Sequence, residues 1–143
     1  MITENTIELN IIAKDKDTII DKMISILEND RVIIDKKKFK EDIYKRESLS
    51  NTGIGFAIAI PHAKSKFVKE PRIAVGVIKD GVEYGSIDGK PVNIIFMIAV
   101  NDSQSDLHLR TLANLSRKLI HEEFRNKILN AKSKSELLNV ILS

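Results

Sequence analysis

Apolar and polar positions alternate from Thr6 to Ala13 (TIELNIIA), with Ile7, Leu9 and Ile11 on one side, which predicts a first strand. The period then changes. Ile20, Met23, Ile24 and Leu27 recur at i, i+3, i+4 and i+7, so a helix is expected over Asp17–Glu28, with Asp17 as its cap and Asn29-Asp30 at its end. A second helix is expected from the cap Asp35 to Glu47, its inner stripe formed by Phe39 and Ile43. Ile34 and Phe39 have the spacing of a hydrophobic staple. Three lysines, Lys36 to Lys38, oppose the dipole of its first turn.

Glycine at 53 and 55 excludes a helix interior, and Phe56–Ile60 is expected as a short strand. Pro61 stops it, because proline has no N–H to continue a ladder and pushes Ile60 into an extended conformation. His62 is therefore expected where a strand is forced to end. Arg72–Lys79 reads as a strand closed by an Asp80-Gly81 turn. Val92–Val100 is almost wholly apolar, the pattern of a central strand covered on both faces, so helices are expected on both sides. They follow as Leu107–Ile120, Glu122–Ala131 and, after the Ser133–Glu136 capping box, a last helix carrying Leu137, Leu138 and Ile141. The order predicts one layered α/β domain over residues 1–143, with a mixed sheet and neither repeat nor linker.

Composition removes several function classes. The 143 residues are 43% hydrophobic and 30% charged, ordinary for a folded chain. The absence of cysteine excludes disulfides, thiol chemistry and thiolate metal sites. A net charge of +3, 5% aromatic residues and no tryptophan argue against nucleic acid as a partner. The longest apolar run, Ile94–Val100, is far below the roughly 20 residues of a membrane helix. The first residues lack the basic and apolar regions of a signal peptide, so a cytoplasmic location without membrane insertion is expected.

The candidate chemistry rests on histidine. The three histidines have no HxH or HxxxH pairing, which argues against a metal site. The serine-hydrolase GxSxG elbow is missing. Gly85–Lys90 has three residues between its glycines where a P-loop has four, and Pro91 stands where Ser or Thr should follow the lysine. Gly53-Ile54-Gly55 lacks the third glycine of a dinucleotide fingerprint. No ATP site and no cofactor are expected. His62, with glycines upstream, a proline before it and Lys64 and Lys66 after it, is the candidate nucleophile for a phosphoryl group. Without ATP machinery, that group must arrive already activated, from another phosphoprotein. Transfer needs positive charge and N–H donors more than an acid or base. Arg46 and the glycine-rich backbone could supply them. So could His108, which shares a helical stripe with Leu112, Leu115 and Leu119. The plainer reading of His108 is a core histidine bonded to a carbonyl. His121, beside Glu122 and Glu123, is expected to be exposed. An apolar rim of Ile60 and Phe56, framed by Lys64 and Lys66, is the expected partner surface.

The stretch RESLSNTGIGFAIAIPHAK (Arg46–Lys64), followed by DLHLRTLANLSRKL (Asp106–Leu119), resembles the enzyme IIA domain of the fructose/mannitol class, the type-2 EIIA domain of the bacterial phosphoenolpyruvate-dependent sugar phosphotransferase system (PTS). The resemblance covers nearly the whole chain. It implies a three-layer α/β/α sandwich with a mixed sheet, of the phosphotransferase/anion-transport-protein kind. It implies a protein-to-protein phosphotransferase in which His62 takes a phosphoryl group at Nε2 (tele-phosphohistidine) from phospho-HPr. The group then passes to a cysteine of enzyme IIB, which works with a membrane IIC in sugar uptake. Arg46 corresponds to the arginine beside that site, His108 to its second, non-phosphorylated histidine, and Thr52 and Gly53 to the phosphate-binding loop. The alternative is a nitrogen-related regulatory IIA, in which phosphorylation of His62 controls protein contacts. One departure is Ala57, where the family often has glycine.

Overall fold

A computed structural model describes residues 1–143. Its strands are β1 (Ile7–Glu8), β2 (Gly53–Gly55), β3 (Ile58–Ala59), β4 (His62–Lys64), β5 (Arg72–Val82) and β6 (Val92–Val100), and its helices are α1 (Lys16–Asn29), α2 (Lys36–Glu47), α3 (Ser105–Leu119), α4 (Glu122–Asn130) and α5 (Lys134–Leu142). The strands form one mixed sheet in the order β1-β5-β6-β3-β2, with β4 also on β6. β5 and β6 run antiparallel, whereas β1 on β5 and β3 and β4 on β6 are parallel.

The apolar run of β6 has the expected consequence. Ile95, Met97 and Ala99 belong to a core beneath α1 and α2, while Ile94, Phe96, Ile98 and Val100 belong to a second core beneath α3, α4 and α5. A strand buried on both faces cannot alternate apolar with polar. The result is the three-layer α/β/α sandwich with a mixed sheet.

Four local expectations are corrected. The first strand is only Ile7–Glu8, and the alternation after it breaks: Ile7 and Leu9 enter the core under α3–α5, but Ile11 and Ala13 enter the one under α1–α2. Gly76 makes room for that crossing, since a Cβ there would stand 2.7 Å from Ile11 Cδ1 and 2.8 Å from Met23 Sδ. The cap of α1 is Asp15, which accepts from the Thr18 N–H. Asp17 lies in the first turn and accepts from the Tyr44 hydroxyl instead. Asp35 caps α2 as expected, but Ile34 is exposed and makes no staple. Asp80-Gly81 does not end β5. The strand runs on to Val82 with a register shift, and Gly81 adopts φ +77°, so the two residues read as turn by type but serve as an irregularity within the strand.

The fifth difference concerns the site. Phe56 is not in a strand. Gly55, Phe56 and Ala57 have φ of 92°, 57° and 63° and form the turn between β2 and β3. Nor does pairing stop at Pro61. Ile58 faces Ile94 and His62 faces Ile98, so β3 and β4 follow one unbroken register along β6. The Pro61 carbonyl stays in the ladder, accepting from the Ile98 N–H at 3.0 Å, while its missing N–H leaves the ladder one bond short and separates β3 from β4 without shifting the register.

Candidate functional site

Side chains alternate across a strand, so His62 shares a face with Ile58 and Ile60, the face covered by α3. β2 pairs only with β3, which leaves the outer edge of β4 open. A cleft of about 520 Å³ opens there, lined by Arg46 from α2, His62 and Lys64 from β4, and His108 from α3. Tertiary structure thus brings three of the expected site residues to one cleft, from both helical layers. A larger depression of about 1030 Å³ lies between α4 and α5, but no histidine or arginine lines it, so its size does not locate chemistry.

His62 is 6% exposed, and its Nδ1 lies 2.8 Å from the Ile60 carbonyl oxygen. A carbonyl only accepts, so Nδ1 carries the proton and Nε2 keeps its lone pair. Burial pushes the His62 pKa below the ordinary imidazole value; the Ile60 carbonyl opposes this, and the Arg46 charge adds to it. The ring is therefore neutral at pH 7, with Nε2 as its nucleophilic nitrogen.

The His108 ring stands with its centroid 5.0 Å from that of His62, tilted by 46°. Burial first, then the proximity of His62, Lys64 and Arg46, lowers its pKa to about 4. It too is neutral. Its Nδ1 is buried without a hydrogen-bond partner. The carbonyl expected by the plainer reading is absent, and a buried polar atom left unpaired costs about 1–3 kcal/mol. Arg46 lies in the last turn of α2 and donates to the Ser50 carbonyl at 3.1 Å and to the Ser50 hydroxyl at 3.2 Å. Those bonds hold the guanidinium at the cleft without neutralising its charge.

Thr52 and Gly53 do not line the cleft. The Thr52 hydroxyl donates to Glu47 Oε1 and lies 2.8 Å from the Tyr84 hydroxyl. The Gly53 N–H donates to Asn51 Oδ1 at 2.8 Å. Glycine is required at 53 for packing, since a Cβ would meet Ser86 Cα at 2.8 Å. The expected apolar rim is also displaced: Ile60 is buried, and Phe56 lies in the β2–β3 turn, beside a separate depression that it lines with Ile87 and Pro91. Leu49, exposed at 80%, and Leu112 take its place, and Lys45 lines the cleft where Lys66 was expected. The signal for these was helical spacing. Asp42, Lys45, Arg46 and Leu49 fall at i, i+3, i+4 and i+7, one face of α2 and its end.

Residues 1–143 match the family model described as phosphoenolpyruvate-dependent sugar phosphotransferase system, EIIA 2. The chain belongs to this EIIA family. It is 44% identical, over 99% of its length, to the PTS system fructose-specific EIIABC component of Bacillus subtilis, but spans only 22% of that relative. It is 37% identical to the PTS system fructose-specific EIIA component of Haloferax volcanii, covering 75% of this chain and 70% of that one. Among solved structures, Nitrogen Regulatory Protein IIA-Ntr from Neisseria meningitidis superposes with a TM-score of 0.90 at 26% identity, covering 97% of this chain and 94% of that one. IIA mannitol from Escherichia coli, with a TM-score of 0.84 over 99% of each chain, shares 19% identity and speaks for the EIIA fold alone. No helix of this EIIA chain is long and apolar enough to cross a membrane.

Proposed function

We propose that the chain is a phosphocarrier, a single EIIA domain that accepts a phosphoryl group on His62 Nε2 and passes it to another protein. The observation that carries this reading is the bond from His62 Nδ1 to the Ile60 carbonyl, which leaves a neutral, buried Nε2 as the free nucleophile. The donor is a phosphohistidine protein of the HPr kind. The N–P bond of the donor breaks as Nε2–P forms, and the donor's imidazole leaves with the electron pair. His62 keeps its Nδ1 proton, so the phosphorylated ring carries positive charge next to the Ile60 carbonyl, which stabilises it. In the second step Nε2–P breaks and the group moves to a cysteine thiolate of enzyme IIB, with the imidazole as leaving group.

Both steps pass through a loose transition state with charge spread over the equatorial oxygens. Arg46 offers a fixed cation to those oxygens, and Lys64 adds positive charge at the same edge. The His108 ring, its centroid 5.0 Å from that of His62, is close enough to donate an N–H to a phosphoryl oxygen on His62. Thr52 and Gly53 act on the phosphate through the loop they hold, since their own polar groups are engaged elsewhere. The fructose-specific relatives favour sugar uptake with a IIB and a membrane IIC. All of this chemistry belongs in the cytoplasm, where such donors are made.

The likeness to Nitrogen Regulatory Protein IIA-Ntr favours a second reading, in which the phosphorylation state of His62 sets protein contacts. One experiment tests both. Labelled phospho-HPr is mixed with the chain, and then with candidate IIB proteins. Acid-labile label on His62 that moves to a IIB cysteine is the expected result. Label that stays on His62 with every IIB supports the regulatory reading, and no label on His62 removes both.

A further inference from the structure

Glu47 follows Arg46 on α2, yet it does not line the cleft. Its side chain is only 4% exposed. A buried carboxylate at a helix C-terminus is opposed by both desolvation and the macrodipole, so the fold must hold it for a reason. Lys16 at the start of α1 pairs with Glu47 Oε2 at 2.8 Å. On the other oxygen, Oε1, the carboxylate accepts from the Thr52 hydroxyl and lies 3.1 Å from the Tyr84 hydroxyl. Tyr84 and Thr52 are themselves buried and 2.8 Å apart. Three residues, Lys16, Thr52 and Tyr84, therefore meet on one carboxylate.

From Thr52 the network continues through the backbone to the reacting ring. The Thr52 carbonyl accepts from the Ile60 N–H at 2.9 Å. The Ile60 carbonyl then takes the Nδ1 proton of His62 at 2.8 Å. Each link is a single hydrogen bond. β6 holds the neighbours of Ile60 on one side, where the Pro61 carbonyl accepts from the Ile98 N–H, and the Thr52 bond sets Ile60 itself from the β2 side, beside a hairpin whose register shifts between Gly53 and Gly55.

We propose that Glu47 is a positioning residue for His62: it fixes Thr52, Thr52 fixes Ile60, and the Ile60 carbonyl thereby selects Nε2 as the nitrogen that takes the phosphoryl group. This rests on reading His62 as the phosphoryl acceptor. Its role differs from that of Arg46, which faces the transferred group directly. A buried ion pair adds little net stability compared with apolar packing, so the value of this one lies in the hydroxyls of Thr52 and Tyr84 that its carboxylate holds.

The test is the tautomer of His62, read from long-range proton–nitrogen NMR correlations of the unphosphorylated chain at pH 7.5. The wild type should show one tautomer, with the proton on Nδ1. Glu47→Ala and Thr52→Val should each show a mixture. They should also accept phosphoryl from phospho-HPr about 10- to 100-fold more slowly at unchanged KM, the cost of a small misplacement of the reacting atom. Glu47→Gln, which keeps an acceptor oxygen, should fall between them and the wild type. Leu137→Ala, fully buried on α5 in the helical layer opposite that of Glu47, is the control for lost stability and should leave the tautomer unmoved. A single wild-type tautomer in both Glu47→Ala and Thr52→Val overturns the proposal, as does a mixture in Leu137→Ala equal to theirs. If Glu47→Ala does not fold, Thr52→Val and Glu47→Gln decide alone. The tautomer readout needs no transfer, so a wild type that takes no label counts against the phosphocarrier reading, and the link from Glu47 to His62 is still decided by NMR.

Discussion

His62 and His108 stand 5.0 Å apart, one on β4 and the other on α3, both buried and both driven neutral. Two neutral rings at that distance do not repel. One presents a lone pair on Nε2, and the other has a buried Nδ1 without a partner.

Replacing His62 by alanine should abolish phosphoryl uptake. Arg46→Ala and His108→Ala should keep the fold and raise the barrier by about 2–4 kcal/mol each, as loss of a direct donor to the transition state does. Single-turnover transfer from phospho-HPr measures this. Rates equal to wild type would take either residue out of the mechanism.

Acid should weaken the fold through the same pair. His108 titrates at an ordinary 6.5 when unfolded and at about 4 when folded. Between those values the unfolded chain binds more protons, so stability is intact above pH 6.5 and falls as pH drops towards 4. The loss from His108 is on the order of 3 kcal/mol, and His62 adds to it with the same sign. Urea midpoints at pH 7.5 and pH 5 should differ, and His108→Gln should flatten that difference. Phosphoryl acceptance should also persist below pH 6.5, because the His62 pKa is lowered and its Nε2 stays free.

Ala57→Gly should stabilise the protein. Ala57 sits at φ +63°, where a Cβ costs about 1–2 kcal/mol. Glycine returns part of that gain as unfolded-state entropy, leaving about 0.5–1 kcal/mol net. A higher urea midpoint with unchanged transfer is the expected result, since Ala57 lies in the turn outside the His62 cleft. No gain would mean that the turn relaxes elsewhere.

Gly53→Ala should destabilise by about 1–3 kcal/mol, because the new methyl meets the Ser86 backbone at 2.8 Å. If Gly53 serves by packing, transfer should drop only as far as the loop moves, and Ser86→Gly should rescue it only in part, since it removes the contacts with Cβ and Oγ at 3.0 Å but keeps that with Cα. Full stability with lost transfer would instead indicate direct contact with the phosphate.

The sequence by itself determined the layers and the candidate for the nucleophile. An almost wholly apolar β6 demands cover on both faces, helical periodicity marks what supplies it, and the glycine–proline frame singles out His62 among three histidines. Local signals went wrong where long-range contacts overrule residue type. Asp80-Gly81 stays inside β5 because Val82 pairs with Val92 beyond it, and β4 resumes after Pro61 because the Pro61 carbonyl still bonds the Ile98 N–H and keeps the register. Phe56 has the composition of a strand, yet it occupies a strained turn that only the β2–β3 pairing explains. The tautomer of His62, the neutrality of both rings and the burial of Glu47 depend on distances between segments up to 46 residues apart. No periodicity encodes them, because desolvation and hydrogen-bond geometry exist only once the chain has closed around the site.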